Sequence, residues 1–262
     1  MRWDGTSLPF IEPGDDFAEC AAALADSYED EFTLYPCIEP QAIEDAAVAG
    51  FMPMAARLQA PDGPWAVLVP KLHRDRCLLD PCLTHATRTA RRQSTRYRFG
   101  INGAFHEVVQ GCVRAHGDDW LLPELAAAFC ALHETRESRR VAFLSVELWS
   151  GHEPDRRLVA GEIGYLIGTS YASLSGFSVE SGAGTVQLVA LGSLLGRSGI
   201  QVWDLGMPMD YKRALGGVAL PRDRYLPMLK RSYVDGDGLT REALLPRSPI
   251  IPARIIIDGR YA

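Results

Sequence analysis

Apolar positions fall at helical spacing early in the chain and at strand spacing in its middle. Residues 15–32 open on acids, are rich in alanine and repeat apolar side chains three and four apart, which predicts a helix. Residues 39–53 predict a shorter helix, with Pro40 near its start and Gly50 at its end. The apolar run 65–70 predicts a strand, and the stretch around Leu78 to Ala90 is expected to be partly helical. Beyond residue 100 the pattern becomes regular. Asn102 is a candidate N-cap for a helix whose apolar face carries Phe105, Val108, Val109 and Cys112, and Pro123 opens a second helix over 122–137. Alternation over 140–150, followed closely by 157–168 and 169–178, predicts antiparallel strands. A glycine-rich loop then leads into an apolar helix ending at Gly199, the strand 200–205 follows, 221–234 reads as a helix and 253–259 as a late strand. Helices, then a run of strands, then strand–loop–helix–strand is an α+β order with one βαβ-like crossover.

Length and composition fit this picture. The chain has 262 residues, 47% of them apolar and 23% charged, as in an ordinary globular protein with a sizeable core. No apolar run reaches the length of a membrane helix and the N-terminus shows no signal pattern, so a cytoplasmic protein is expected. The six cysteines form no CxxC pair, which fits a reducing compartment and gives no metal-ligand spacing. Charge changes the picture more. The net charge is −6, yet the segment from Lys71 to Arg98 carries eight basic residues against two acids. A local basic patch on an acidic chain can hold a phosphate backbone, although basic helix faces are often merely solvated.

Two stretches carry candidate chemistry. In residues 180–205 a glycine loop opens a helix, where free backbone N–H groups and the helix dipole favour an anion, and a strand follows that ends on Asp204. That order of parts resembles the cofactor-binding core of the GNAT acetyltransferases, but Glu180 stands near the loop, and a plain tight turn into a buried helix fits equally well. The longer pattern is more specific. "YRFGINGAFHEVVQGC", "DDWLLPELAAAFCALHE", "SVELW", "LVAGEIGYLIGTSYASLSGFS" and "WDLGMPMDYKRALGGVALPRDRYL" follow one another in an order that resembles the leucyl/phenylalanyl-tRNA–protein transferase family, over about Tyr97 to Leu226.

The resemblance implies a small α/β N-terminal domain, residues 1–95 with the basic segment 71–98. It also implies a GNAT-like domain, residues 96–262, with a mixed, mainly antiparallel sheet and flanking helices. It implies an aminoacyl-tRNA-dependent aminoacyltransferase that needs no separate cofactor or metal. The acceptor would be a protein N-terminus or a small amine, and neither DNA nor a membrane takes part. Lys71, Arg74, Arg76, Arg88, Arg91, Arg92, Lys212 and Arg213 would then meet tRNA phosphates, and Trp120 would stack on the terminal adenosine. The loop Asp210-Tyr211-Lys212-Arg213 would lie beside the tRNA end or the acceptor.

Ester aminolysis needs a proton acceptor for the amine and donors for the oxyanion. Of the family's polar set the chain keeps Asp204, while Gly206 replaces a glutamine and Leu174 replaces a glutamate. The candidate catalytic groups are Asp204, Glu162 and Ser175. Glu162 is alternatively a partner for a cationic group of the donor or acceptor, or a solvent-facing charge on an edge strand. The aminoacyl and adenosine pocket would be formed by Trp120, Leu174, Gly176, Leu191, Leu195 and Gly206. With Glu162 and Gly176 at positions that are bulky and apolar in the family, the donor need not be leucine or phenylalanine. Two other readings stay open: a GNAT N-acetyltransferase using acetyl-CoA, and an RNA-binding homologue without activity.

Overall fold

The computed structural model describes residues 1–2, 7–25, 28–61, 63–117, 119–234 and 239–260. In chain order the elements are α1 (Phe17–Ala25), α2 (Pro40–Val48), β1 (Met52–Ala60), β2 (Gly63–Lys71), β3 (Asp75–Leu79), α3 (Arg88–Gln93), β4 (Tyr97–Ile101), α4 (Phe105–His116) and α5 (Pro123–Glu134). They continue with β5 (Ala142–Ser150), β6 (Arg157–Ile167), β7 (Ser170–Ser178), α6 (Ala183–Arg197), β8 (Val202–Asp204), α7 (Asp210–Leu215), β9 (Val218–Pro221), α8 (Arg222–Val234), α9 (Leu239–Leu244), β10 (Ile251–Pro252) and α10 (Ala253–Ile257). β1 and β2 form an antiparallel hairpin, and the other strands form one sheet in the order β10-β4-β5-β6-β7-β8-β3-β9. Only β7 and β8 run parallel, joined through α6, so the expected α+β order with a single crossover holds.

Alternation in the strands feeds two cores. On β5, Phe143 packs with α1, α2, α4, α5 and α8 on one face of the sheet. Its neighbours Leu144, Val146 and Leu148 pack with α6 and α10 on the other. The division expected between residues 95 and 96 runs through this sheet, because β3 lies inside it between β8 and β9.

Several local expectations are corrected. The helix expected over 15–32 is α1. Residues 26 and 27 lie outside the described ones, and residues 28–32 are not helical. The stretch Leu78 to Ala90 is partly helical as expected, but Leu78 and Leu79 are strand; a 3-10 turn spans Pro81–Leu83 and α3 starts at Arg88, where Thr87 Oγ1 accepts the Ala90 N–H. Asn102 does not cap α4. It sits at φ 57° and uses its amide on the carbonyls of Leu244 and Leu245, while the Glu147 carboxylate accepts the N–H groups of Gly103 and Ala104. The late strand over 253–259 is helix α10, whose Ile256 and Ile257 are buried and whose Arg254 pairs with Asp258 at 2.6 Å, one turn on. Asp210–Leu215 is a short helix rather than a loop, ended by Gly216 at φ 116°.

One contact ties β3 into the sheet. The Arg76 guanidinium donates to Asp204 Oδ2 at 2.7 Å and to the Gly50 carbonyl at 2.8 Å, and lies over the Tyr225 ring at 5.0 Å. Both partners are sealed from water, with side chains 0% and 1% exposed. Burial opposes the guanidinium charge, but Asp204 beside it holds its pKa above the ordinary value. Arg76 therefore does not reach RNA, contrary to the expectation for the basic segment.

Arg76→Met alone leaves the Asp204 carboxylate buried without its cation and is expected to lower stability by about 3–5 kcal/mol. The double replacement Arg76→Met with Asp204→Leu is expected to recover most of that loss. Denaturant unfolding of the parent and both variants checks this, and a single variant as stable as the parent would remove the pair from the account.

Candidate active site

β6 lies between β5 and β7, so Glu162 is not on an edge. Its neighbours Ile163 and Tyr165 belong to the core on the α4–α5 face. Glu162 itself turns toward α6, where Gln187 approaches it, and is only 3% exposed. Glu162 Oε1 accepts from Ser173 Oγ at 2.6 Å and from Tyr171 Oη at 3.1 Å, while Oε2 receives Gln187 Nε2 at 3.4 Å. Ser173 Oγ in turn accepts the Trp203 indole N–H at 2.9 Å. The Tyr171 ring reaches the carboxylate by lying across Gly164, where any Cβ would collide with its hydroxyl. Burial pushes the Glu162 carboxyl up, and the donors from Ser173, Gln187 and Tyr171 oppose that shift.

The register shifts within the β6–β7 pair. Ile163 faces Ser175 and Gly164 faces Ser173, which leaves Leu174 as the extra residue. Such a bulge re-aims side chains next to a site. Here it brings Ser173, Leu174 and Ser175 together on the wall of a cavity of about 520 Å³, with Glu162, Gly176, Thr185 and Gln187 among its other lining residues. A second cavity, of about 190 Å³, is lined by Met52, Met54, Lys71, His73, Trp120, Gly206 and Met207. Ser173, Leu174, Leu205 and Lys212 line both.

The charged groups around these cavities are few. The Lys212 ammonium donates to the Met207 carbonyl at 2.9 Å. Burial lowers its pKa, with Cys77, Glu162 and Asp204 acting the other way. His73 is 3% exposed and its Nδ1 has no hydrogen-bond partner. Burial, with Arg76 and Lys71 nearby, lowers its pKa to about 2, so it lines the smaller cavity as a neutral imidazole. His116 Nε2 lies 2.7 Å from the Gly176 carbonyl at the wall of the larger cavity.

The residues expected at the site divide clearly. Glu162, Ser175, Leu174 and Gly176 line the larger cavity, and Trp120, Leu174 and Gly206 the smaller. Asp204 lines neither. One of its oxygens is held by Arg76 and the other accepts the Gly206 N–H at 2.8 Å, which fixes a turn with Gly206 at φ 70°. An Asp204 so enclosed shapes the wall and does not reach a reacting amine. Leu191 and Leu195 are also corrected, since both are sealed in the core between α6 and the sheet. The first turns of α6, with Thr185 and Gln187, face the cavity in their place.

The basic residues do not form one face. Lys71 lines the smaller cavity, paired with Glu31 at 3.2 Å, and Arg74 is exposed beside Tyr28 and Glu29. Arg88, Arg91 and Arg92 lie with Arg254 around a separate groove of about 510 Å³, and Arg213 is exposed next to Asp210 at 3.4 Å. His73, His116, Ser173, Thr185 and Gln187 were missed in the sequence reading, while Tyr211, expected beside the tRNA end or the acceptor, lines the larger cavity. Only Gln187 carried a signal, as a lone amide in an otherwise apolar helix. The glycine loop before α6 is a poor anion cradle: Ser178 Oγ accepts the Gly184 N–H and the Gln93 side chain lies against Gly182. Glu180 turns away, accepting from Tyr97 and Ser150.

Among known proteins, the model of the family described as leucyl/phenylalanyl-tRNA protein transferase matches residues 78–230, which include Trp120, Glu162, Ser175 and Lys212. A leucyl/phenylalanyl-tRNA–protein transferase of Edwardsiella ictaluri (strain 93-146) is 31% identical over 96% of this chain and 95% of its own length. That of Proteus mirabilis (strain HI4320) is 30% identical over 60% of this chain and 65% of its own length. One solved structure, a conserved protein of unknown function from Enterococcus faecalis V583 described as a probable N-acyltransferase, covers 78% of this chain and 47% of its own. At 9% identity and a TM-score of 0.38 that likeness carries no argument.

His73 generates a pH prediction. Its folded pKa lies far below that of an unfolded histidine, so below about pH 6.5 the unfolded chain takes up a proton that the folded one does not. Stability from this group is present above that pH and is lost as pH falls. Relative to the parent, His73→Asn is therefore expected to gain up to about 1.4 kcal/mol per pH unit between pH 6.5 and 5. Unfolding free energies of both proteins at several pH values check this; a difference that does not vary with pH would contradict it.

Proposed function

This chain belongs to the leucyl/phenylalanyl-tRNA protein transferase family, and from that premise we propose that it transfers the aminoacyl group of a charged tRNA to an amine. The acceptor is a protein N-terminus or a small-molecule amine. The observation that carries the reading is the pair of cavities sharing one wall at Ser173, Leu174, Leu205 and Lys212. The reaction joins two substrates at one carbon, and two pockets meeting at a polar seam suit it. The aminoacyl-tRNA is itself the activated donor, so no separate cofactor enters.

In this reading the terminal adenosine stacks on Trp120 in the smaller cavity, among Met52, Met54 and Met207, whose flexible side chains adapt to a flat base. Lys71 stands at the same cavity for phosphate, with Arg74 exposed two residues beyond His73's neighbour Leu72. The amine nitrogen attacks the ester carbonyl, a C–N bond forms, the nitrogen loses a proton, and the C–O bond to the ribose breaks as that oxygen takes up a proton in its place. Lys212, common to both cavities, meets the oxyanion in this reading, and Ser175 adds a hydroxyl from the larger cavity, while the Ser173 proton stays with Glu162. Holding two reactive partners in register supplies much of the acceleration for an ester already activated. An acetyl-CoA reading is less well supported, because the loop before α6 has its N–H at Gly184 already bonded and Gln93 against it.

Purified protein incubated with radiolabelled aminoacyl-tRNAs, or with labelled acetyl-CoA, and a panel of amines is expected to move label from a charged tRNA. Label moving only from acetyl-CoA, or tRNA binding without any transfer, would overturn the reading. Lys212→Met is expected to lower the turnover of bound substrates by about 10²–10³-fold with tRNA affinity changed far less. An equal loss in binding would place Lys212 on phosphate instead.

A further inference from the structure

The larger cavity ends on a carboxylate that, among the described residues, has no cation in direct contact. Glu162 is 97% removed from water on the basis of its 3% exposure, yet among the described residues no Lys, Arg or His lies within ion-pair distance of it. The neighbouring Lys212 gives its ammonium to the Met207 carbonyl. Oε1 is well served by Ser173 at 2.6 Å and Tyr171 at 3.1 Å. Oε2 has only the long contact from Gln187 at 3.4 Å, so its acceptor capacity is largely unused. Buried carboxylates are normally paired, because desolvation of the charge is otherwise uncompensated. Burial pushes the Glu162 carboxyl up, and its three hydrogen-bond donors and the nearby Lys212 charge offset that only in part.

We infer that the cavity over Glu162 is a subsite for a cationic side chain, an ammonium or guanidinium group carried by one of the two reactants. An apolar side chain there would seal Oε2 against hydrocarbon, whereas a cation would complete a charge-assisted bond. The rest of the lining supports the same ligand. Ser175, Ser178 and Thr185 offer hydroxyl oxygens for the remaining N–H donors, and Tyr211, half exposed, presents an aromatic ring at the same cavity. A volume of about 520 Å³ leaves room for a long side chain. Gly176, paired with Glu162 across the ladder, keeps the space above the carboxylate open. The inference rests on the transferase reading only for which reactant brings the cation, donor or acceptor.

The test has a part that needs no transfer. Lysinamide and argininamide are titrated calorimetrically against the unmodified protein, with norleucinamide, which shares their α-amine but has an uncharged side chain, as the neutral-side-chain probe. Binding of either cation at least about tenfold tighter than the neutral probe is expected. Equal affinities would overturn the subsite whatever the enzyme transfers. Glu162→Gln, which keeps the side chain's shape, is expected to abolish the preference, and its retention would also overturn the proposal. In the transfer assay, one arm varies the donor between Lys- or Arg-tRNA and Leu- or Phe-tRNA, and the other varies the acceptor between amines with and without a second cationic group. A preference for the cationic substrate in one arm, expressed in KM and lost in Glu162→Gln, identifies the source. No preference in either arm from a protein that does transfer would overturn the role for substrates while leaving the aminoacyltransferase reading intact.

Discussion

The buried pair of Arg76 and Asp204 is the contact on which the site's framework depends. It joins β3 to β8 in the sheet, reaches the carbonyl of Gly50 just after α2, and sits under the Tyr225 ring of α8. The other oxygen of Asp204 fixes the turn at Gly206, which leads the chain from β8 into the wall of the smaller cavity. A pair so completely enclosed contributes little net stability compared with apolar residues of the same size, but it cannot lose one partner cheaply. Its value lies in direction. It sets where β8 ends and therefore where Leu205, Gly206 and Lys212 stand relative to β7.

Much of the fold was legible because its main elements carry strong periodicity. The alternation over 140–178 became β5, β6 and β7, and the long apolar run after Gly182 became α6. What was missed depends on contacts between distant parts of the chain. Isoleucines favour strands on their own, yet Ile256 and Ile257 form a helix because α10 buries them against α6 and β4. Leu78 and Leu79 joined the sheet because Asp204 and Trp203 offered an edge to pair with. The same limit applied at the site. An acid ending an apolar strand looks available for chemistry until its partner 128 residues away is known. Conversely, a solvent-facing edge charge stayed open for Glu162 beside its catalytic and cation-pairing readings, because nothing in the sequence says that β6 is central or that Tyr171, Ser173 and Gln187 would converge on it.

That convergence is costly to build. Trp203, Ser173, Glu162 and Tyr171 form a hydrogen-bonded chain on a face of the sheet otherwise filled mainly by aliphatic and aromatic side chains. Gly164 gives up its side chain so that Tyr171 can cross, and the bulge at Leu174 shifts the register so that Ser173 and Ser175 both serve the cavity. A buried polar network of this kind rewards the fold only when every member is satisfied. Here all members are bonded, with the longest bond the 3.4 Å contact from Gln187 to Glu162 Oε2.

The placement of basic groups bears on how a charged polymer would reach such a site. With the rest of the chain carrying net negative charge, an approaching phosphate backbone meets attraction only locally, within about 8–10 Å of each cation at physiological salt. Lys71 and Lys212 supply it at the cavities, and Arg88, Arg91, Arg92 and Arg254 supply it around α3. These two places are mechanically connected. Gln93, at the end of α3, packs against Gly182, and the helix that begins there lines the larger cavity with its first turns. Contacts with α3 thus bear on the N-terminal end of α6, beside the carboxylate network. The net negative charge of the remaining chain also repels polyanions, so binding depends on these local basic groups rather than on the charge of the whole protein.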